Sequence, residues 1–329
     1  MNLRDIFINE VGRLRSGWRL LIFILAYIAV SLVLVTIGRG VFLIIMAAAP
    51  QLPHSNFIAD VTFRFGLLLT ALIAGYLCVR FLEGLPWRSL GLTLHTGWFR
   101  DLVFGSAAGF VTLAIAVGIA TAGKGLSFSL NADAVTSMAR SMLGSLALLF
   151  VAALAEEAMF RGYGLQTLVR ARLALLAVLL TSVPFGLVHL SNPNVVPGVT
   201  FANTVIAGVW FGIAYLRTRS LWLPWGLHWS WNWALGWFFG LPISGINLVS
   251  HPFLNATDNG PSWLTGGTYG IEGGIACTVA LVLSTLFIWW TPWVSATPEL
   301  KKLTSEENPI TSEPVLTIRP VDDLREKAT

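Results

Sequence analysis

Long apolar stretches separated by short polar segments run through most of the chain. Eight of these stretches have the roughly 17–25 residues that a helix needs to cross a bilayer. They lie at about 18–38, 61–82, 102–122, 140–164, 173–191, 198–216, 219–240 and 270–291. Residues 39–50 either extend the first helix or lie along the membrane surface. The pattern predicts an all-α, polytopic membrane protein with about eight transmembrane helices.

Composition and charge agree with a membrane protein. Hydrophobic residues make up 55% of the 329-residue chain and charged residues only 12%, whereas a soluble domain carries about 25% charged residues. Thirteen Lys and Arg residues flank the predicted inner ends of the spans, and the outer loops hold only Arg39 and Lys124. This bias places both termini in the cytoplasm and explains the net charge of +4 without a nucleic-acid partner. We expect a multi-pass integral membrane protein, in the plasma or inner membrane if the source is prokaryotic.

The same pattern divides the chain into two regions. Residues 1–295 are predicted to form one transmembrane domain. Residues 296–329 are polar and contain prolines, so we expect a loosely ordered cytoplasmic tail. Cys78 and Cys277 both fall within predicted spans, which supports neither a disulfide framework nor a cysteine metal site.

Few ionisable side chains lie within the predicted spans, where each costs roughly 2.5–3.5 kcal/mol on insertion scales. Those that do are Glu156, Glu157 and Arg161 on the fourth span, His189 at the end of the fifth, and His228 with Asn232 on the seventh. Such residues usually face a bundle interior or a water-filled cavity. We therefore expect three helices to bring them together around one hydrated cavity.

Spacing adds detail to the fourth span. Glu157 and Arg161 are four residues apart, in the order that favours an ion pair on one helix face. Glu156 lies about 100° round the helix and can point elsewhere. Taken alone, the Glu157–Arg161 pair is more often a structural clamp than part of a catalytic site.

The two histidine motifs have similar spacing. His228 and Asn232 share a helix face, and Phe185 lies one turn before His189, so its ring can wall the site beside the imidazole. Taken singly, each histidine also fits a structural role at a helix end or between neighbouring helices.

Other polar and aromatic residues receive structural interpretations. Arg64, Arg140 and Glu272 lie near span ends, so we expect them to extend toward the membrane surface. The six tryptophans between Trp222 and Trp237 are typical of an interfacial belt combined with core packing.

The polar cluster has the groups that hydrolysis of an amide bond requires. A carboxylate and an imidazole can hold a water molecule and remove its proton, and a second imidazole and an amide can donate hydrogen bonds to the oxyanion. Glu156, His189 and His228 are also a zinc ligand set, although the HExxH motif is absent. A proton-coupled transporter or a non-catalytic immunity or scaffold protein would use the same cluster differently.

Three motifs, in this order, resemble the CPBP family of CAAX proteases and bacteriocin-processing enzymes, also called Abi. They are EEAMFR at residues 156–161, FGLVH at 185–189 and HWSWN at 228–232, matching EExxxR, FxxxH and HxxxN. The similarity covers about residues 150–236. The resemblance implies an intramembrane endopeptidase that acts on a membrane-associated protein or peptide, including prenylated CAAX proteins.

The resemblance also implies roles for individual residues. Glu156 and His189 would activate the attacking water, and His228 and Asn232 would stabilise the oxyanion. The supporting residues would be Glu157, Arg161 and Phe185. The family is described both as metal-dependent and as glutamate-dependent. We favour the metal-free form, because an amide and a second imidazole suit hydrogen-bond donation better than zinc binding.

The fifth span raises a question of depth. His189 lies 17 residues after Arg172, or about 25 Å along a helix, whereas His228 lies only about 13 Å beyond Arg219. For the two histidines to meet, either residues 162–176 run partly along the membrane surface, or the fifth helix is tilted and starts later. We predict the former.

Overall fold

A computed structural model describes residues 6–10, 12–48 and 56–305. In chain order its α-helices are α1 (Ser16–Ala48), α2 (Asn56–Cys78), α3 (Trp98–Ala122), α4 (Val135–Glu157), α5 (Leu165–Arg170), α6 (Ala174–His189), α7 (Val199–Thr218), α8 (Trp222–Trp233), α9 (Ser262–Thr265), α10 (Ile275–Trp290) and α11 (Pro298–Ser305). Three π-helical segments continue α2, α4 and α8, at Val79–Glu83, Ala158–Gly164 and Ala234–Phe238. Short 3-10 turns lie at Trp87–Leu90, Gly267–Tyr269 and Ile271–Gly273.

The predicted all-α membrane class is confirmed. Five helical segments among the described residues are long and apolar enough to cross a bilayer: Ser16–Ile45, Ile58–Glu83, Trp98–Ala122, Val135–Arg170 and Val199–Thr218. Helices α6 and α10 are apolar but have only 16 residues each, about 24 Å of length. The count of eight spans and the cytoplasmic placement of both termini stay predictions.

Two expectations concern the ends of elements. Helix α1 continues through residues 39–48, so this stretch extends the first helix rather than forming a separate surface segment. The predicted tail, residues 296–329, begins with helix α11. Residues 306–329 lie outside the described part of the chain.

Helices α3 and α8 pack backbone against backbone because glycines line their contact. A Cβ added at Gly105 or Gly109 would come within 3.0 Å of the carbonyl oxygens of Leu223 and Leu227. Small residues at such contacts let membrane helices approach closely. The position of α8, which carries HWSWN, is therefore set by α3.

The tryptophans of α8 and its π-helical extension attach this segment to its neighbours. Each of the six indole nitrogens donates a hydrogen bond. The acceptors are Thr93 O for Trp222, Phe150 O for Trp225, Ser106 Oγ for Trp229, Glu272 Oε1 for Trp231, Met142 O for Trp233 and Met138 O for Trp237. Trp222, Trp225 and Trp231 are also buried. The core-packing interpretation holds for these three, since a belt residue would leave one end of its ring at the membrane interface.

The fourth predicted span does not continue straight into the fifth. Gly162 has φ −66° and ψ −124°, outside the helical region, and breaks the chain direction within Ala158–Gly164. The short helix α5 follows and is buried throughout, with contacts to α1, α6 and α11. Helix α6 then begins at residue 174, so His189 is its last residue. The placement of residues 162–176 along the membrane surface stays a prediction.

A buried ion cluster fixes α5 against α1. The Glu83 carboxylate binds Arg19 Nη1 at 2.9 Å and also contacts Arg170 Nη2. All three side chains are at most 1% exposed. Because a buried charge is costly unless it is paired, this cluster holds the two helices in one arrangement.

A small sheet lies outside the helices. Strands β1 (Leu126–Leu130) and β2 (Leu254–Asp258) pair antiparallel, with Leu126 opposite Asp258 and Leu130 opposite Leu254. The sheet ties the loop after α3 to the long segment between α8 and α10, residues 239–274, which returns over the end of α6.

Candidate active site

A cavity of about 290 Å³ opens between the central helices. Glu156, His189, His228 and Asn232 all line it, from α4, α6 and α8. The volume far exceeds the roughly 10–15 Å³ that one water needs. The structure thus brings the four principal residues singled out in the sequence to one space that can hold water and part of a substrate.

The ion pair predicted on the fourth span is present and fully buried. Arg161 Nη1 lies 3.1 Å from Glu157 Oε1, and both side chains are 0% exposed. Arg161 Nη2 donates a second hydrogen bond, 3.0 Å, to the Gly208 carbonyl on α7. The guanidinium carbon lies 4.6 Å from the ring centre of Phe185 and 5.1 Å from that of Phe211. These contacts compensate the buried cation.

His228 is bonded to this pair. Its Nδ1 lies 2.9 Å from Glu157 Oε1, and since a carboxylate only accepts, Nδ1 carries the proton. Phe211 stacks on the imidazole with centroids 4.6 Å apart and planes at 19°. The ring is therefore fixed in position and tautomer, with Nε2 on the cavity side, 3.8 Å from Glu156 Oε2.

Glu156 differs from its neighbour in being partly open to the cavity. Its side chain is 25% exposed, and Oε1 lies 3.5 Å from Arg64 Nη1 on α2. Within the described residues, Oε2 has no hydrogen-bond partner. Oε2 is itself enclosed and accepts no hydrogen bond from these residues, while Oε1 lies next to a cation.

His189 has an equally defined orientation. Its Nδ1 lies 2.7 Å from the Phe185 carbonyl oxygen. Because a carbonyl oxygen accepts, Nδ1 donates and Nε2 of the neutral ring keeps its lone pair. The Phe185 ring packs against the imidazole, 4.6 Å between centroids, and so forms the wall that the spacing predicted.

Asn232 completes the cavity lining. It is half-buried and, among the described residues, its amide is in no hydrogen bond that would occupy it. It lies one turn beyond His228 on the same helix. An amide N–H and an imidazole N–H on one face can both donate to a single oxygen atom.

The zinc alternative is not supported by the donor arrangement. Within residues 6–10, 12–48 and 56–305, no group of three His, Cys, Asp or Glu side chains is placed to hold a metal ion. Glu156, His189 and His228 therefore do not fit a zinc site as they stand, and we derive no step through a metal.

Comparison with family models adds a finding independent of the geometry. Residues 137–234 match a family described as type II CAAX prenyl endopeptidase Rce1-like. Residues 137–234 form an Rce1-like domain. This match is consistent with the CPBP resemblance and identifies a membrane protease family. A comparison with curated proteins gave no match.

The Rce1-like domain contains all seven residues named from the sequence, but two further cavity residues lie outside it. Arg64 and Glu272 line the cavity, so the expectation that they extend toward the membrane surface is wrong for both. Arg64 pairs with Glu156, and Glu272 is held inside by hydrogen bonds from Trp231 and Ser244. Arg140, on α4, is exposed as expected.

The apolar segments around the Rce1-like domain make the chain an integral membrane protein. Helices α2, α7 and α10 contribute to the cavity beside α4, α6 and α8. The site is therefore assembled by more helices than the three that the motifs occupy.

Proposed function

We propose that this protein is an intramembrane endopeptidase that hydrolyses a peptide bond of a membrane-associated substrate, with prenylated CAAX-type proteins as the first class to test. One observation carries the proposal: within an Rce1-like domain, Glu156, His189, His228 and Asn232 line the same cavity. The match favours a protease over the transporter and scaffold alternatives, which would need no such family relationship.

The first step uses Glu156 and His189. A water molecule between the unbonded Glu156 Oε2 and the His189 Nε2 lone pair loses a proton to this pair as its oxygen bonds to the substrate carbonyl carbon. The fixed Nδ1–H of His189 keeps the lone pair on the cavity side. Positioned acid–base groups of this kind contribute typically 10²–10⁴-fold in rate.

The second step uses His228 and Asn232. As the carbonyl double bond opens, its electron pair moves to oxygen, and the oxyanion accepts hydrogen bonds from His228 Nε2–H and the Asn232 amide. His228 can carry this second proton because Glu157 and Glu156 lie on its two sides. The C–N bond then breaks, and the proton taken from water passes to the leaving nitrogen.

Glu157 and Arg161 act through His228 rather than on the substrate. Both are fully buried, so neither reaches the cavity water. Glu157 fixes the imidazole by its Nδ1, and Arg161 neutralises the carboxylate. We assign them positioning roles.

The test is cleavage by the purified full-length chain in detergent or liposomes. Membrane-tethered peptides with and without a C-terminal prenylated cysteine are incubated with wild type, Glu156→Gln, His189→Ala and the exposed-site control Arg140→Gln, and products are identified by mass spectrometry. We expect specific cleavage by wild type and by Arg140→Gln. The cleavage rate of the two site variants should fall by at least about 10²-fold. Equal cleavage by both folded site variants would exclude the mechanism.

A further inference from the structure

Glu272 is a half-buried acidic residue that the proposed mechanism leaves unused. It lies in the turn Ile271–Gly273 before α10 and lines the cavity together with His189. Its Oε1 accepts a hydrogen bond from Trp231 Nε1 at 3.1 Å, and Oε2 accepts from Ser244 N at 2.5 Å and Ser244 Oγ at 3.1 Å. Both oxygens are thus bound by neutral donors.

No Lys or Arg forms an ion pair with Glu272 within the described residues, whereas the fully buried glutamates Glu83 and Glu157 are each paired with an arginine. A carboxylate largely removed from water without a cation is costly. A positive charge that arises in the same cavity during function would offset this cost.

The loop that carries Ser244 is anchored beside His189. Asn192 Nδ2 donates to Ser244 O at 3.1 Å, and Asn194 Nδ2 donates to Gly245 O at 3.0 Å. Both asparagines follow directly after α6, which ends at His189. The loop that binds Glu272 is therefore tied to the segment that follows His189, and both residues line the cavity.

We propose that Glu272 is a positioning residue that stabilises the imidazolium formed on His189 when that ring takes the proton of the attacking water. The inference rests on the proposed function and assigns the proton to His189 Nε2, since Glu156 is already paired with Arg64. The water O–H bond breaks, Nε2 gains the proton, and the ring becomes a cation in the cavity that Glu272 also lines. The proton leaves again with the departing amine, so no charge accumulates over the cycle.

Other charged and titratable groups also face this space. Those lining the cavity beside His189 are Arg64, Glu156, His228, Glu272 and Cys277. Glu156 also carries a negative charge near the water, but it pairs with Arg64 at 3.5 Å and lies 3.8 Å from His228. Glu272 is the carboxylate in this set that has only neutral donors.

The first measurement is a double-mutant cycle on peptide cleavage with Glu272→Gln, His189→Ala and the double variant. Glu272→Gln keeps the shape and removes the charge, so kcat should fall on the order of 10- to 100-fold, with KM little changed. In the His189→Ala background the same change should have almost no effect, because its partner is gone. Glu299→Gln, an exposed glutamate with 57% side-chain exposure, is the matched control.

The second measurement does not depend on cleavage. Diethyl pyrocarbonate acylates a histidine ring when the imidazole is neutral and not when it is protonated. Mass spectrometry follows the modification of the His189 peptide as the pH is lowered. The pH of half-maximal modification should lie about one unit lower in Glu272→Gln than in wild type, because the anion no longer favours the protonated ring. Ser244→Ala, which removes one hydrogen bond and keeps the charge, should leave this midpoint in place.

The outcomes separate the two proposals. A lower midpoint in Glu272→Gln together with a non-additive cycle supports the inference. An unchanged midpoint overturns it, even if cleavage still depends on His189. Undiminished cleavage by His189→Ala overturns the proposed function instead, whatever the midpoint does.

Discussion

His228 Nδ1 and Glu157 Oε1 lie 2.9 Å apart, and the same carboxylate oxygen accepts a hydrogen bond from Arg161 Nη1 at 3.1 Å. The first and third motifs, EExxxR and HxxxN, are thus joined through one carboxylate oxygen. The bond dictates which imidazole nitrogen carries a proton and which faces the cavity. It links a buried ion pair of no evident chemical use to the group proposed to bind the oxyanion.

Replacing Glu157 should therefore harm both stability and activity. In Glu157→Ala the buried Arg161 loses its carboxylate, and breaking such a pair costs about 3–5 kcal/mol. Thermal unfolding in detergent should show a clear loss of stability. Glu299→Gln, which breaks an exposed 3.9 Å contact to Arg88, should change stability by at most about 0.5 kcal/mol. Similar stability of the two variants would show that Glu157–Arg161 is not the clamp described here.

The glycine contact between α3 and α8 leads to a prediction for a residue that does not line the cavity. A methyl group at Gly109 would collide with the Leu227 carbonyl, whereas one at Gly118, on the same helix, meets nothing within 4 Å. Gly109→Ala should displace α8 and with it His228, with a stability loss of about 1–3 kcal/mol and reduced cleavage. Gly118→Ala should behave like wild type. Equal activity and melting temperature in both variants would contradict the backbone packing.

Arg64 should affect cleavage through Glu156. Its guanidinium lies 3.5 Å from Glu156 Oε1, with both side chains partly exposed, so the pair is screened by salt. Arg64→Gln should lower kcat/KM by about tenfold, equivalent to about 1.4 kcal/mol, and should weaken the salt dependence of the rate. Arg140→Gln is the control. A rate that keeps its wild-type value and salt dependence in Arg64→Gln would remove Arg64 from the site.

The sequence predicted which helices meet, because intramembrane polar groups have few stable positions other than one another. Glu156, His189 and His228 could be assigned to one cavity on that ground alone. Glu272 and Arg64 could not, since a charge near the end of an apolar stretch fits the membrane surface equally well. Their inward positions depend on the loop held by Asn192 and on the rotation of α2 against α4, which no local pattern encodes.

Helix lengths were predicted less well than helix identities. Gly162 and Gly164 interrupt the apolar run, but a glycine within such a run does not by itself predict a change of direction. The depth mismatch between His189 and His228 was the available signal. Helix α5 occupies part of the segment between the fourth and fifth spans, and the placement of that segment along the membrane surface stays a prediction.

Metal removal should leave the reaction intact. The described residues offer no cluster of three His, Cys, Asp or Glu side chains placed to hold a metal ion. Cleavage should therefore be unchanged after prolonged incubation with 1,10-phenanthroline or EDTA. Inactivation by the chelator, with recovery on adding Zn²⁺ alone, would contradict the metal-free mechanism.

The most direct test of the central claim is a double-mutant cycle between Glu156→Gln and His189→Ala, measured as kcat/KM on one cleaved peptide. If both groups act on a single water, each single variant loses at least about 10²-fold, and the double variant is scarcely worse than the poorer single one. Losses that multiply, or a single variant that keeps wild-type activity, would show that the two residues do not share one reaction.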